Sequence, residues 1–416
     1  MVRIGVICIG SELLINKINT NVHLINDSIG KIGLFVSENI TIPDKKEEIQ
    51  NAFKYCFENN HIIFITGGLG PTFDDITRES ISEILNRKLI FSEKIWQKIE
   101  EKFKKKGTII PEINKKQSYV IEGATIIENE IGTAPGMILE ERNKSIILLP
   151  GPPSELSPMM KKTVIPYLRE KYAQENLVKY FYFGISGIPE SVVEEKSKEI
   201  ISLYEKKEEI EFCILAHPSI IEIGIKTSHP SGEKIAQKIG KELKKIFGNS
   251  FLGLNPPTLP EIIGKILKEK KLKLAIAESC TGGLVGKLIT DIPGSSEYFQ
   301  GSFVTYNNIL KKRILKVPKP LLKKFGAVSE EVAISMAKGA RKAGKADVSI
   351  GLTGIAGPGG GSEEKPVGLV WIALSFPKNK VFTQKFIFSG TREQIRERTA
   401  LSGLDFLRKK LIEEYE

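Results

Sequence analysis

Three side chains capable of nucleophilic attack stand in a row at Ser279, Cys280 and Thr281, inside the stretch AESCTGG that spans 277–283. An apolar run, KLKLAIA, leads into them and two glycines follow, a pattern that reads as strand, tight turn and helix. Each of the three can equally be a helix cap or a packing residue. A nucleophile also needs a base, and the four histidines (His23, His61, His217 and His229) all precede residue 248. A self-contained C-terminal enzyme therefore lacks a Ser–His or Cys–His pair. What is left is serine with lysine, or a thiolate lowered by a helix N-terminus. The stretch YNNILKKRIL offers Lys311 and Lys312 on a helix that Asn307 or Asn308 can cap. Lysine serves as a base only where burial or a nearby cation lowers its pKa. Residue type does not choose between the two.

Two glycine-rich loops add binding chemistry. LTGIAGPGGGSEEKPVG, residues 352–368, follows a strand and is too rich in glycine for a plain connection. Its backbone amides can wrap a ligand or form an oxyanion hole, as can those of Gly282 and Gly283. In the N-terminal half, ITGGLGPTFDDITRES (65–80) ends a buried strand and leads to a helix expected to start near Asp74. Free amides there favour an anion such as phosphate. Asp74 and Asp75 repel a phosphate unless a divalent cation lies between them, so a Mg²⁺-bridged diphosphate accounts for both features. The alternative is that Thr72, Asp74 or Asp75 caps the helix. Glu12, in GSELL at the end of the first strand, is placed to face the same crevice.

The elements that must position these residues read as an α/β protein. Residues 1–170 alternate strand and helix: RIGVICIG, then a helix ending at Gly33, LFVSENITI, a helix opened by Asp44, and HIIFITGG. APGMILEERNKSIILLPGPP reads as a hairpin turning at ERNK. About 175–250 hold two strand-like pieces and two charged helices, enough for a small α+β module. GNSFLGLNPPTLPE is the strongest Gly/Pro punctuation, and 258–416 restart an α/β pattern.

A chain of 416 residues calls for two or three domains. With 41% hydrophobic and 27% charged residues, and no run of about 18 apolar ones, neither a membrane span nor a secretory signal is expected. The net charge of +11 raises nucleic acid as a partner, yet the lysines sit in Glu-mixed helical stretches such as EKIWQKIEEKFKKKG, which read as solvated faces. Cys8, Cys56, Cys213 and Cys280 lack zinc-ligand spacing, as expected for reduced thiols of a cytoplasmic protein.

From AESCTGG to FSGTREQIRERTA, the C-terminal region resembles the C-terminal domain of the CinA (competence/damage-inducible protein) family, the bacterial nicotinamide mononucleotide deamidase. The matching runs are AESCTGGLVGKLITDIPGSSEYFQGSFVTYNNILK, GAVSEEVAISMAKGA, GLTGIAGPGGGSEEKPVG and FSG. GSELL, TGGLGPTFDD and LPGPPSE resemble the family's N-terminal domain, which is similar to molybdopterin-binding proteins. The resemblance implies an N-terminal three-layer α/β/α molybdopterin-binding-like domain (1–172), a small α+β linking module (173–250) and a C-terminal α/β/α deamidase domain (258–416).

It further implies Ser279 as nucleophile, Lys311 as base and Tyr306 close by. Substrate contacts are expected from Glu278, Thr281, Gly282, Gly283, Thr353, Gly354 and Gly357, with Arg392 and Arg396, four apart on one helix face, for the nucleotide phosphate. Cys280 is then a packing residue. For the N-terminal domain it implies cleavage of ADP-ribose on Gly67, Gly68 and Gly70, with Mg²⁺ or Co²⁺ held by Asp74, Asp75 and Glu12. The deamidase is expected to need no cofactor, and the protein to be a homodimer. Where the family usually carries the glycine and aspartate of G-x-I-V-D-T-N, this chain has Asn16 and Asn19 in INKINTN. That departure leaves open a second possibility, an N-terminal domain that only binds a nucleotide or pterin.

Overall fold

The computed structural model describes residues 2–105, 107–172, 178–208 and 210–415. It falls into two compact units, Met1–Tyr180 with Thr227–Pro230, and Phe181–Lys226 with Ser231–Glu416. The boundary expected after residue 172 runs into 173–177, which lie outside the described residues.

The first unit is built on a six-stranded sheet. Its strands are β1 (Ile4–Ile9), β2 (Glu38–Ile42) and β3 (Ile62–Thr66). After the short pair β4 (Leu89–Phe91) and β5 (Tyr119–Ile121) come β6 (Thr125–Ile127), β7 (Gly136–Glu141) and β8 (Lys144–Leu149). The order is β2-β1-β3-β8-β7-β6; the first four run parallel, and β7 and β6 are antiparallel additions. Strand alternation explains why β1 is apolar throughout. Ile4, Val6 and Cys8 enter the core on one face, Ile7 and Ile9 the core on the other. Arg142 and Asn143 turn the β7–β8 hairpin, both with positive φ (49° and 65°), as a two-residue turn of that type requires.

Two local expectations are corrected here. The helix expected to be opened by Asp44 begins at Lys46, and Asp44 instead accepts from the Ser11 amide and hydroxyl at 2.7 and 3.0 Å. The helix expected to end at Gly33 ends at Gly30, with a turn carrying the chain on to Gly33.

The second unit contains two sheets. One is the four-stranded β10-β11-β9-β12, from β9 (Lys179–Ser186), β10 (Glu211–His217), β11 (Ile220–Thr227) and β12 (Phe251–Leu254). Strand β12 corrects the reading of 248–261 as mere punctuation: despite its Gly and Pro neighbours, Phe251–Leu254 pairs antiparallel with β9.

The other sheet is β14-β13-β15-β16-β17, from β13 (Leu274–Glu278), β14 (Phe299–Val304), β15 (Val348–Gly354), β16 (Leu369–Ser375) and β17 (Val381–Ile387). The first three strands are parallel, so β13 and β15 deliver their C-terminal ends, and the loops after them, to one edge. Residues of helices Leu259–Glu269 and Arg392–Tyr415 fill the main core with this sheet, and helix Glu330–Ala343 joins the smaller clusters with Ala275, Ala277 and Ala373. A buried Arg408, bonded to Asp405 at 2.8 Å, donates to the Asn249 carbonyl at 2.6 Å and the Ser186 hydroxyl at 3.1 Å. It ties the terminal helix to the four-stranded sheet.

Candidate active site

Ser279 lies one residue beyond β13, and its amide donates to Leu352 of the adjacent β15 at 3.0 Å. The turn that follows is shaped by glycine: Gly282 and Gly283 have φ of 61° and 98°, values a side chain would strain. Gly283 then starts helix Leu284–Thr290. Beneath that start lies Glu278, fully buried. Its carboxylate accepts from the amides of Gly283 (2.9 Å), Val285 (3.1 Å) and Gly286 (2.9 Å) and from the Ser302 hydroxyl (2.7 Å). Both oxygens are therefore committed, and Glu278 holds the turn after Ser279 instead of facing a ligand. Glu278→Gln turns one acceptor into a donor against these N–H groups. We expect it to cost about 1–3 kcal/mol or more of unfolding free energy, measurable by urea denaturation.

Lys311 is 1% exposed, whereas Lys312 faces solvent. It sits on the short helix Asn308–Arg313, capped by Asn307, whose Oδ1 accepts from the Leu310 amide at 3.0 Å. Its Nζ reaches three oxygens: Ser279 Oγ at 2.9 Å, the Thr305 carbonyl at 2.8 Å and the Tyr306 carbonyl at 3.0 Å. Burial lowers its pKa to about 8, against a smaller opposing pull from Cys280. A neutral amine has two hydrogens and one lone pair. With the two carbonyls taking the hydrogens, the lone pair is left for the Ser279 hydroxyl, the orientation a general base needs.

Cys280 behaves differently. Burial pushes its thiol up to about 11, and its side chain packs with Ala356 and Ile395.

The glycine-rich loop after β15 lies against this turn: a Cβ on Gly354 would come within 3.2 Å of Cys280 Sγ. Thr353 is buried and bonds the Ala327 carbonyl at 2.8 Å. Arg392 joins the loop to the lysine-bearing segment, donating to the Gly357 carbonyl at 2.6 Å and to Tyr306 Oη at 3.0 Å. Arg396 donates to the carbonyls of Cys280 (3.2 Å) and Thr281 (2.8 Å), so it braces the turn after Ser279. Of the amides considered for an oxyanion, that of Gly283 is spent on Glu278 and that of Gly282 on the Ser279 carbonyl at 3.2 Å. Those of Ala356 and Gly357 carry no hydrogen bond among the described residues. The structure thus brings together Ser279, Lys311, Tyr306, Arg392, Arg396 and the start of the 354–357 loop. Ser302 and the Thr305 carbonyl had no signal in the sequence.

The first unit holds a second site, a cavity of about 570 Å³ at the ends of β1, β3 and β8. Glu12, Gly67, Gly68, Gly70, Asp74 and Asp75 all line it. A Cβ on Gly67 would fall 2.1 Å from the Ile9 carbonyl oxygen, so only glycine lets these two strand ends approach so closely. The helix expected near Asp74 begins at Thr77, and Asp75 closes the preceding turn by accepting from the Thr72 amide at 2.9 Å and from its hydroxyl. Asp74 is exposed, and Glu12 lies 3.6 Å from Lys17.

Among the described residues no group of three or more His, Cys, Asp or Glu side chains is arranged to hold a metal. The donor set still suits a hard cation such as Mg²⁺, which is commonly held by one or two carboxylates and completes its shell with phosphate oxygens and water. Asn19 donates to Thr41 Oγ1 at 3.3 Å and accepts from the Asn21 amide at 3.2 Å, bonds that shape the chain without supplying a carboxylate. No helix among the described residues is long and apolar enough to cross a membrane.

Comparison with known proteins follows the same division. The profile described as "CinA C-terminal domain" matches residues 257–411, and that described as "Probable molybdopterin binding domain" matches 5–170. A CinA-like protein of Endomicrobium trichonymphae is 42% identical over 426 residues, covering 99% of each chain. One from Thermotoga neapolitana is 40% identical over 415 residues, again covering 99% of each. Among solved structures, the competence/damage inducible protein CihA from Agrobacterium tumefaciens is 40% identical; the match covers 36% of this chain and 94% of that one, with a TM-score of 0.35.

Proposed function

The chain belongs to the CinA family, with a molybdopterin-binding-like N-terminal domain, and from that premise we propose that its C-terminal domain deamidates nicotinamide mononucleotide to nicotinate mononucleotide and ammonia. The observation that carries this reading is the buried Lys311 Nζ 2.9 Å from Ser279 Oγ. Neutral Lys311 takes the hydroxyl proton as Ser279 Oγ attacks the amide carbon. The amides of Ala356 and Gly357, which carry no hydrogen bond among the described residues, are the donors this reading assigns to the resulting oxyanion. Lys311 returns its proton to the departing nitrogen, which leaves as ammonia and gives an acyl-serine ester. Water then attacks the ester, again giving a proton to Lys311, and collapse restores Ser279 and releases the acid. In this reading Arg392, held beside Gly357 and Tyr306, supplies the cation for the substrate phosphate, and Arg396 keeps the turn in register.

The test is ammonia release as a function of pH. Only neutral Lys311 accepts a proton, so kcat/KM should fall about tenfold per unit below the pKa of about 8 and level off above it. A flat profile between pH 6 and 9 would reject the lysine base.

For the N-terminal domain we propose cleavage of the ADP-ribose diphosphate, with Asp74, Asp75 and Glu12 holding a divalent cation jointly with the substrate. A bound cation would neutralise the charge of the diphosphate. The Gly67–Gly70 loop lets the backbone approach that group, and Asp74 is exposed beside it. Asp74→Asn with Asp75→Asn should reduce ADP-ribose turnover by at least the ~10–100-fold that loss of even an outer-shell metal partner costs. Deamidation should stay at the wild-type rate in that variant and in EDTA. The presence of Asn19 where the family carries aspartate favours a second reading, a nucleotide-binding module without turnover. Binding of ADP-ribose without release of AMP, in Mg²⁺ or Co²⁺, would select it.

A further inference from the structure

The cavity of the first unit has a second chemistry that the diphosphate leaves unused. Besides the glycine loop and its carboxylates, it is lined by Ile18, Phe103 and Ile131, of which Ile18 is 85% and Ile131 54% exposed. A single exposed isoleucine is ordinary. Ile131 differs because its loop is held in place. Asn129 Oδ1 accepts from the amides of Ile131 (3.1 Å) and Gly132 (2.7 Å), and its Nδ2 donates to the Ala134 carbonyl (2.8 Å) and to Glu155 (2.6 Å). Lys102, one residue before Phe103, donates to the carbonyls of Asn129 and Gly132. The Glu155 carboxylate packs so closely under Gly132 that a Cβ there would lie 2.2 Å from it. The loop therefore displays Ile131 at the cavity and denies it a retreat into the core.

Resting on the ADP-ribose reading above, we infer that Ile131, with Phe103 and Ile18, forms the subsite for the flat base of the nucleotide. It discriminates a nucleoside diphosphate from a bare diphosphate. The physical reason is division of labour. Charged phosphates gain from amides and a cation, whereas a heteroaromatic ring gains from leaving water against apolar and aromatic surface.

The test is calorimetric titration of the full chain, in Mg²⁺, with the α,β-methylene analogue of ADP-ribose and with inorganic pyrophosphate. Ile131→Ser should weaken the analogue about tenfold, the loss expected for one buried aliphatic contact. It should leave pyrophosphate binding unchanged, and Ile131→Leu should restore nucleotide binding. Unchanged analogue binding in Ile131→Ser overturns the inference. So does equal weakening of both ligands, or a wild-type protein that takes pyrophosphate but no nucleotide. Turnover is scored separately. A wild-type protein with the expected binding pattern that never cleaves ADP-ribose rejects the pyrophosphatase and upholds the base subsite.

Discussion

Ser279→Ala is expected to lower ammonia release from nicotinamide mononucleotide by about 10³–10⁶-fold, the range between partial and complete loss of a nucleophile-dependent mechanism. No neighbour can replace it. Cys280 is buried among Ala356 and Ile395 with its thiol raised to about 11. At pH 8 about one thiol in a thousand is ionised. Thr281 is also buried, and Arg396 pins its carbonyl at 2.8 Å. Cys280→Ala should thus keep activity within a few fold, its cost appearing as reduced stability from a small cavity. Steady-state assays on the two variants, each checked for folding by circular dichroism, decide the matter. Equal loss in both would leave Ser279 without a special role.

The second large effect is at Lys311. Lys311→Ala should cost about 10²–10⁴-fold in kcat, the usual contribution of a positioned general base. Lys311→Arg should not rescue it, because guanidinium keeps its proton at any working pH. Its larger planar head also mismatches a site built around one nitrogen and three oxygens at 2.8–3.0 Å. Lys312→Ala, at an exposed position on the same helix, should be close to wild type. The pH profile adds a readout that simple misfolding would not imitate. The rise toward pH 8 should disappear from the residual activity of Lys311→Ala. An active Lys311→Arg enzyme would reassign the residue to electrostatics.

Much of this site was legible because its signals are local. AESCTGG announced strand, turn and helix through an apolar run followed by paired glycines, and the turn follows that plan with positive φ at Gly282 and Gly283. Asn307 was one of two candidate caps because a side-chain oxygen three residues before an amide is a local geometry, and it is the cap. The core alternation along β1 follows from the period of two in any strand. Strand β12 was missed for the opposite reason. Gly253 and the nearby prolines give turn signals, and only pairing with β9, some seventy residues earlier in the chain, makes Phe251–Leu254 extended. In the same way Asp44 read as the residue opening the next helix, but Ser11 had a prior claim on that carboxylate.

The sequence alone determined the chemical inventory: a serine at a glycine-shaped strand end, no histidine after residue 248, and a lysine pair on a capped helix. Tertiary structure alone decided how each member of these sets is placed and what it touches. Lys311 and Lys312 are adjacent, so a helix turns them about 100° apart; packing buries one and exposes the other. Desolvation then lowers the pKa of the buried one. Glu278 looked like a ligand-facing carboxylate until three amides and a hydroxyl were found to consume it. Arg396 looked like a phosphate cation until its donors met two carbonyls more than a hundred residues away in sequence. A side chain's role depends on how many of its bonds the protein has already taken, and residues distant in the chain settle that count.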